Sequence, residues 1–278
     1  MAHMQAVEDE IEKLDRLILA SEDWAKSYQK NPDIHAKLIK SEAKLMRKLR
    51  AYFKALAKER INNYINWQMY KQEAVKAYNF NVTVDISEID AQESDELLQV
   101  VHDPLQSTLA LGAASAEETY SLDLGLSQYH SAVMSATSDY VGNLVKDISS
   151  TTKDRIQQSI AQSIKLHETQ DEAYARLSDI LGDPRRAEMI ARTETVRAYN
   201  KGITVFGEQS GATSKVWEVS SDPCPECEGN DVGEIDFSDS FPSGDDEPPA
   251  HPNCRCGMSL IKTFADGSTE EDTTDSGE

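Results

Sequence analysis

The chain has 278 residues, 39% of them hydrophobic, enough for one large or two modest domains with cores, and wholesale disorder is excluded. Its 49 acidic against 28 basic residues give a formal net charge of -21, which excludes a protein whose whole surface grips nucleic acid or an anionic membrane. The four cysteines are too few for a disulfide scaffold, and all lie between Cys224 and Cys256, so they point to a local metal or redox site.

No apolar run approaches the roughly 20 residues of a membrane span, and the start lacks the basic-then-apolar plan of a signal peptide. A soluble protein with no membrane partner is expected. Met1-Ala2-His3-Met4 reads as a cloning scar, with the natural chain free to begin before Gln5. From Val7, the spacing of Val7, Ile11, Leu14 and Ile18, thickened by Leu17, Trp24 and Tyr28, predicts an amphipathic helix. It should stop at Asn31-Pro32, where asparagine can cap and proline can open a second helix. That helix carries Leu38, Leu45, Leu49, Tyr52, Phe53, Leu56 and Ile61, and the pattern extends through Trp67 and Tyr70 towards Tyr78. Unbroken, it would measure about 70 Å at 1.5 Å per residue.

Between Lys37 and Lys76 eleven basic side chains face three acidic ones, in a molecule that is acidic overall. Lys44, Arg47, Lys48, Arg50, Lys54 and Lys58 form the densest part. Such a stripe is either a solvated helix face or a contact for nucleic acid or an acidic partner, with Tyr64, Trp67 and Tyr70 nearby.

Residues 79–90 break the helical pattern: Val82, Val84 and Ile86 alternate with Thr83 and Asp85 as a short strand or extended linker does, and a domain boundary is placed there. Helices are then expected over 94–111, 126–148, 152–167, 171–181 and 184–210, with a small, polar loop at Gly112–Gly125. Thr151 or Thr152 should cap the third of these, Gly182 should end the fourth in a left-handed conformation, and Asp183-Pro184 should open the fifth. Beyond Gly211, Lys215–Val219 alternates as a strand, Gly257–Ile261 is a candidate partner for it, and the intervening stretch is rich in Asp, Gly and Pro. Ala265–Glu278 carries six acids, no base and almost nothing apolar, the composition of a disordered tail.

Cys224-Pro225-Glu226-Cys227 is followed by His251-Pro252-Asn253-Cys254-Arg255-Cys256. Two thiols three residues apart hold one edge of a tetrahedral ion, and a second set from a distant loop closes it. Five candidate ligands exceed four positions; Cys224, Cys227 and His251 with either Cys254 or Cys256 is favoured, because cysteines two apart on a turn rarely both reach one ion. Two disulfides are the alternative in an oxidising compartment. A redox site lacks the β-α-β context. A zinc-deaminase reading fails for want of an upstream His-x-Glu, and four protein ligands leave no open position for water. The metal expected is therefore a structural Zn2+. On the preceding helix, Arg192, Glu194, Arg197 and Asn200 are placed as a polar network tying helix to module, the usual worth of such surface pairs being a few tenths of a kcal/mol each.

Taken together, Ala187-Glu188-Met189-Ile190-Ala191-Arg192-Thr193-Glu194-Thr195, Ala198-Tyr199-Asn200-Lys201-Gly202, Trp217, Asp222, the Cys224–Cys227 block and Pro248-Pro249-Ala250-His251-Pro252-Asn253-Cys254-Arg255-Cys256 resemble the phage Mu F-like, or SPP1 gp7-like, family of minor head morphogenesis proteins. The resemblance covers about residues 185–261 firmly and reaches back through 151–181 more weakly. It implies a low-copy capsid component of a tailed bacteriophage, located in the virion at the portal vertex or head interior and in the host bacterial cytoplasm during assembly. The implied partners are the portal protein and other capsid components; the basic helix, which the resemblance does not reach, is open to a restricted contact with double-stranded DNA or equally to docking on an acidic portal surface.

The expected architecture is mainly α with a small α+β C-terminal module: a helical N-terminal region at 1–90, a helical middle at 91–210, a Cys/His zinc module at 211–264 and the acidic tail at 265–278. A scaffolding role without catalysis follows from this reading. The alternative is an enzyme or effector delivered with the phage DNA, its polar centre at Arg192 and Glu194, which requires a cleft with a perturbed carboxylate.

Overall fold

A computed structural model describes residues 24–26, 28, 31–76, 86–120, 126–263 and 269–270. The helix expected over Val7–Tyr28 lies mostly outside the described residues, as do 79–85 of the strand or linker expected at 79–90 and most of the tail expected at 265–278; where those segments are described the expectation fails, since 86–90 are helical and Thr269–Glu270 pairs with the preceding strand. The chain is mostly helical, with a small antiparallel sheet near its C-terminal end. Its described residues fall into two compact units, each built from stretches distant in sequence. One unit draws on Met1–Leu45, Pro104–Ser138 and Met189–Glu278, the other on Met46–Asp103 and Asp139–Glu188.

Helix α1, Pro32–Ala55, starts as its residues dictate. The Asn31 side chain accepts from the Ile34 N–H (3.2 Å), its carbonyl accepts from the His35 N–H (3.0 Å), and Pro32 occupies a position whose N–H would lack a helical partner. The apolar pattern does not carry one helix through to Tyr78. A π-helical turn at Leu56–Arg60 and a 3-10 turn at Ile61–Tyr64 lead to an extended Ile65, and α2, Trp67–Lys76, begins anew. Asparagines make the break. Asn66 Oδ1 accepts from the Met69 N–H (3.0 Å) as a cap, and Asn62 Oδ1 accepts from the Trp67 indole (3.1 Å).

Helix α3, Ile86–Tyr120, runs through the first part of the expected Gly112–Gly125 loop. The reason is packing. A Cβ on Gly112 would lie 2.0 Å from the Tyr199 carbonyl oxygen, and one on Gly202 would lie 2.0 Å from that of Leu109, so the two glycines let two helix backbones touch. Small residues that read as a loop are here the floor of a helix crossing. Helix α4, Leu126–Lys165, likewise absorbs the break expected near residue 150. Thr151 donates to the carbonyls of Asp147 and Ile148, and Thr152 to that of Ile148 (2.6 Å), so both hydroxyls bond back within the helix and neither caps a new one.

Helix α5, Gln170–Leu181, opens on a reciprocal capping box between Thr169 and Glu172. It ends at Gly182 with φ -84°, so the expected left-handed ending is not formed. A Cβ there would lie 2.9 Å from the Ser178 carbonyl oxygen, and the glycine serves close approach. Helix α6, Pro184–Ser210, starts at Asp183-Pro184 as expected, with Asp183 Oδ1 accepting from the Arg185 N–H (3.0 Å). The remaining elements are β1 (Ser214–Glu218), a short helix α7 (Pro225–Asn230), β2 (Glu234–Asp236), β3 (Gly257–Thr263) and β4 (Thr269–Glu270). The sheet order is β2-β1-β3-β4, antiparallel throughout. β1 pairs with β3 from Ser214↔Ile261 to Glu218↔Gly257, the pairing that the alternation suggested.

In the unit that holds the sheet, Trp217 is 1% exposed and meets Phe241 edge to face at 5.0 Å. In the other unit, Phe53, Leu49, Leu56, Ile148, Ile160 and Leu177 are buried in a helical core. There the buried carboxylate of Glu93 accepts from Arg60 at 2.9 and 3.0 Å and from the Tyr64 hydroxyl at 2.9 Å, so that its charge is matched.

Candidate metal centre

Cys224 stands immediately before α7, and Cys227 follows within its first turn, which brings the two thiols to one side of a short helix. The loop that returns to β3 carries His251, Cys254 and Cys256. His251 Nε2 lies 3.2 Å from both Cys224 Sγ and Cys227 Sγ, and Cys227 Sγ lies 3.7 Å from Cys254 Sγ. The donors form two overlapping groups, Cys224/Cys227/His251 and Cys227/Cys254/Cys256, with all ligand atoms of a group within 4.8 Å of one another. Cys227 belongs to both. The expectation that cysteines two residues apart would not reach one place does not fit this geometry: both Cys254 and Cys256 approach Cys227. All four cysteines are free thiols, so the disulfide alternative is not realised.

The donor set fits a tetrahedral thiolate–imidazole site. Metal–sulfur bonds of about 2.3 Å and metal–nitrogen bonds of about 2.0 Å give tetrahedral edges of roughly 3.8 Å between sulfurs and roughly 3.6 Å between sulfur and nitrogen. The observed 3.7 and 3.2 Å edges lie close to those values. His251 Nδ1 lies 2.9 Å from the Pro252 carbonyl, an acceptor, which places the ring proton on Nδ1 and leaves the Nε2 lone pair for a metal. The Cys256 N–H points at Cys254 Sγ (3.5 Å), a partner that suits a thiolate. Hydrogen bonding to Cys227 and then to Cys254 holds the Cys256 thiol well below its ordinary range, while hydrogen bonding to Cys254, then to Cys256, and burial push Cys227 up. The cluster can hold a metal ion.

The strap that delivers these ligands is pinned at every step. The Asn253 N–H donates to Thr193 Oγ1 (3.0 Å) on α6. Arg255 inserts its guanidinium between α1 and the N-terminal segment: Nη1 and Nη2 donate to the two oxygens of Glu42 at 2.5 and 2.9 Å, and its carbon lies 4.0 Å from the centre of the Trp24 ring. The Arg255 carbonyl accepts from the Ala25 N–H (3.1 Å), and the Cys256 carbonyl from the Tyr28 hydroxyl (2.9 Å). Glu42 and Arg255 are 1% and 4% exposed, so this ion pair is fully withdrawn from water.

The sequence-predicted polar network is only partly assembled in that form. Arg192 lies 3.8 Å from Glu42, Arg197 pairs with Glu194 at 3.3 Å one turn away, and Asn200 turns to the Tyr28 hydroxyl at 3.0 Å and the Val196 carbonyl at 3.0 Å. Glu42 lies outside the sequence motifs, and the anchoring roles of Arg255, Thr193 and Tyr28, which the motifs and the apolar stripe do contain, are not legible from spacing. A signal for Glu42 exists: it sits at the apolar spacing of Leu38, Leu45 and Leu49, where a carboxylate has no place unless a buried cation meets it. Of the basic stripe, Lys44, Lys54 and Lys58 are exposed, while Arg47, Lys48 and Arg50 are half-buried and Arg50 lies 3.8 Å from Glu188.

Residues 154–259 match the family model described as Phage Mu protein F like protein. The match begins within α4 and ends within β3, so it takes in α5, α6 and the whole Cys/His cluster. No curated protein and no solved structure matches the chain. Among the described residues no helix is long and apolar enough to cross a membrane.

Proposed function

From the premise that residues 154–259 are a phage Mu F-like domain, we propose that the protein is a minor head morphogenesis protein of a tailed bacteriophage, acting at the portal vertex as a scaffold. The observation that carries this reading is the domain match together with a Cys/His cluster that can hold a metal ion. Five Cys/His donors converge there, and the strap bearing His251, Cys254 and Cys256 is anchored to α1 and α6 by Glu42 and Thr193. Zn2+ is the metal proposed, since sulfur and imidazole donors in tetrahedral spacing suit it. Cys224, Cys227 and His251 would hold it, with Cys254 and Cys256 competing for the fourth position. When bound, the ion supplies cross-linking of a polar loop region that lacks a large apolar core of its own.

Mass spectrometry of purified virions of the encoding phage tests the assignment. The chain should be present at low copy and should be recovered with the portal protein when heads are gently disrupted. Its absence from both virions and assembling heads overturns the reading. In the host it would reside in the cytoplasm until assembly.

The basic stripe is proposed as a restricted contact for packaged double-stranded DNA. Exposed Lys44, Lys54 and Lys58 support this, because exposed lysines meet phosphates without losing an internal partner. Neutralising all three should reduce the slope of log affinity against log salt by about 0.9 for each phosphate contact removed. An unchanged slope would assign the stripe to solvent.

A further inference from the structure

The strap that carries His251, Cys254 and Cys256 is engaged on both of its faces. Extended backbone sends successive side chains to opposite sides. Cys254 and Cys256 turn to Cys227 in the cluster, while Arg255 between them turns to Glu42 and to the Trp24 ring, whose centre is 4.0 Å from the guanidinium carbon. Pairing of β3 with β1 starts at Gly257↔Glu218, so the carbonyls of Arg255 and Cys256 precede the ladder. They take donors from the N-terminal segment: the Ala25 N–H at 3.1 Å and the Tyr28 hydroxyl at 2.9 Å, with Asn200 Nδ2 farther from the Cys256 carbonyl at 3.5 Å. Trp24, Ala25 and Tyr28 are all buried, and the Trp24 ring is met edge to face by Tyr28 at 5.0 Å and by His35 at 5.4 Å. All of these groups belong to the sheet-bearing unit.

We propose that this N-terminal segment is part of the metal centre: Trp24, acting through Arg255, and Tyr28, acting through the Cys256 carbonyl, are positioning residues that set how tightly the cluster retains its ion, and the bound ion in turn holds the segment down. The proposal rests on the reading of the cluster as a zinc site and extends that site to residues far outside the matched span 154–259. Its physical basis is the cost of order. Ligands on an irregular strap lose conformational freedom when an ion fixes them, and a strap already held in place loses less. Arg255 and Cys256 are consecutive, so loosening their anchors frees two of the candidate thiols together, Cys254 and Cys256. A buried carbonyl deprived of its donor adds to that cost. Linkage then requires the effect to run both ways: whatever the segment adds to zinc affinity, zinc adds to docking of the segment.

Competition of the full-length protein with a chromogenic chelator measures the zinc dissociation constant. Tyr28→Phe, which removes the donor to the Cys256 carbonyl, should weaken zinc binding about fivefold to tenfold. Trp24→Leu should weaken it about tenfold, and Trp24→Phe, which keeps a ring face for Arg255, should recover most of that loss. Leu177→Ala, a core change in the helical unit, should lower stability and leave zinc affinity unchanged, which separates positioning from general loosening. In the opposite direction, removal of zinc should speed hydrogen exchange of the Ala25 amide at least fivefold while amides of α5 keep their rates. Variants at Trp24 and Tyr28 that bind zinc as tightly as wild type, an equal loss in Leu177→Ala, or Ala25 exchange indifferent to zinc would overturn the proposal and leave the metal reading standing. Wild-type protein that takes up no zinc would overturn both.

Discussion

Among the described residues two arginines are buried, one in each unit, and they are accommodated by opposite means. Arg255, in the unit that holds the Cys/His cluster, meets a full countercharge, the bidentate Glu42 carboxylate, and lies over Trp24. Arg186, in the helical unit, has no carboxylate in this arrangement. One of its nitrogens donates to Thr152 Oγ1 at 2.7 Å, Thr151 Oγ1 at 3.1 Å and the Ile148 carbonyl at 3.3 Å, and its carbon lies 4.4 Å from the centre of the Phe53 ring. Burial, followed by the nearby positive Arg155, lowers the Arg186 pKa to about 10, and Nη1 is without a partner. The helical unit already has a core of aliphatic and aromatic side chains, so its arginine can be set among dipoles. The unit with the Cys/His cluster must hold an extended, polar strap in place, and uses a specific ion pair to do so.

The contrast can be broken at several points, with effects of decreasing size. Cys227→Ser should be the most damaging change, because Cys227 is shared by both ligand groups. It should remove much of the roughly 10–16 kcal/mol that a structural zinc site supplies. Hydrogen exchange should show β1 and β3 deprotected while amides of α5 keep their protection; uniform loss over the whole chain would dissolve the distinction between the units.

Glu42→Ala should cost about 3–5 kcal/mol by leaving Arg255 buried and unpaired. Chemical denaturation measures the loss, and the double change Glu42→Leu with Arg255→Met should recover most of it. A single-variant cost below about 1 kcal/mol would remove Arg255 from the account as an anchor. Arg186→Met, by contrast, should lie within about 1.5 kcal/mol of wild type, since Thr151 and Thr152 retain their helix carbonyls and no acid is orphaned. A loss as large as that at Glu42 would show that the two buried arginines are equivalent after all.

The smallest effect concerns pH in the helical unit. Hydrogen bonds from Arg176 are the main cause that holds Glu168 down to about 2 from its ordinary 4.5. A depressed carboxylate stabilises the fold above the unfolded value, and that contribution is lost as pH falls from about 4.5 through 2. The stability gap between wild type and Arg176→Gln should therefore shrink over that interval, and a gap that is constant with pH would mean that the pair contributes through packing alone. Both side chains are near the surface, so the gap itself is expected to be small.

What could be read from the residues follows from whether the controlling interaction is local. The start of α6 at Asp183-Pro184, the pairing of β1 with β3 and the convergence of five Cys/His donors are encoded by neighbours in sequence or by an unmistakable spacing. The continuous α3 and α4 were not legible, because Gly112 and the Thr151-Thr152 pair are breakers only when nothing packs on them. At Gly112 the deciding partner is the backbone of Tyr199. The Glu42–Arg255 pair spans 213 positions, and spacing alone does not reveal it. Its trace in the sequence is a carboxylate at an apolar position in one helix and an arginine between two cysteines far away.

The central claim is that an ion bound to the Cys/His cluster keeps the strap, and through it α1 and α6, in register. Elemental analysis of full-length protein purified without chelator, followed by hydrogen exchange before and after chelator is added, tests it most directly. The account predicts one zinc per chain and loss of protection across 251–261 on chelation. Metal-free protein whose protection over 251–261 is complete and indifferent to chelator would contradict it.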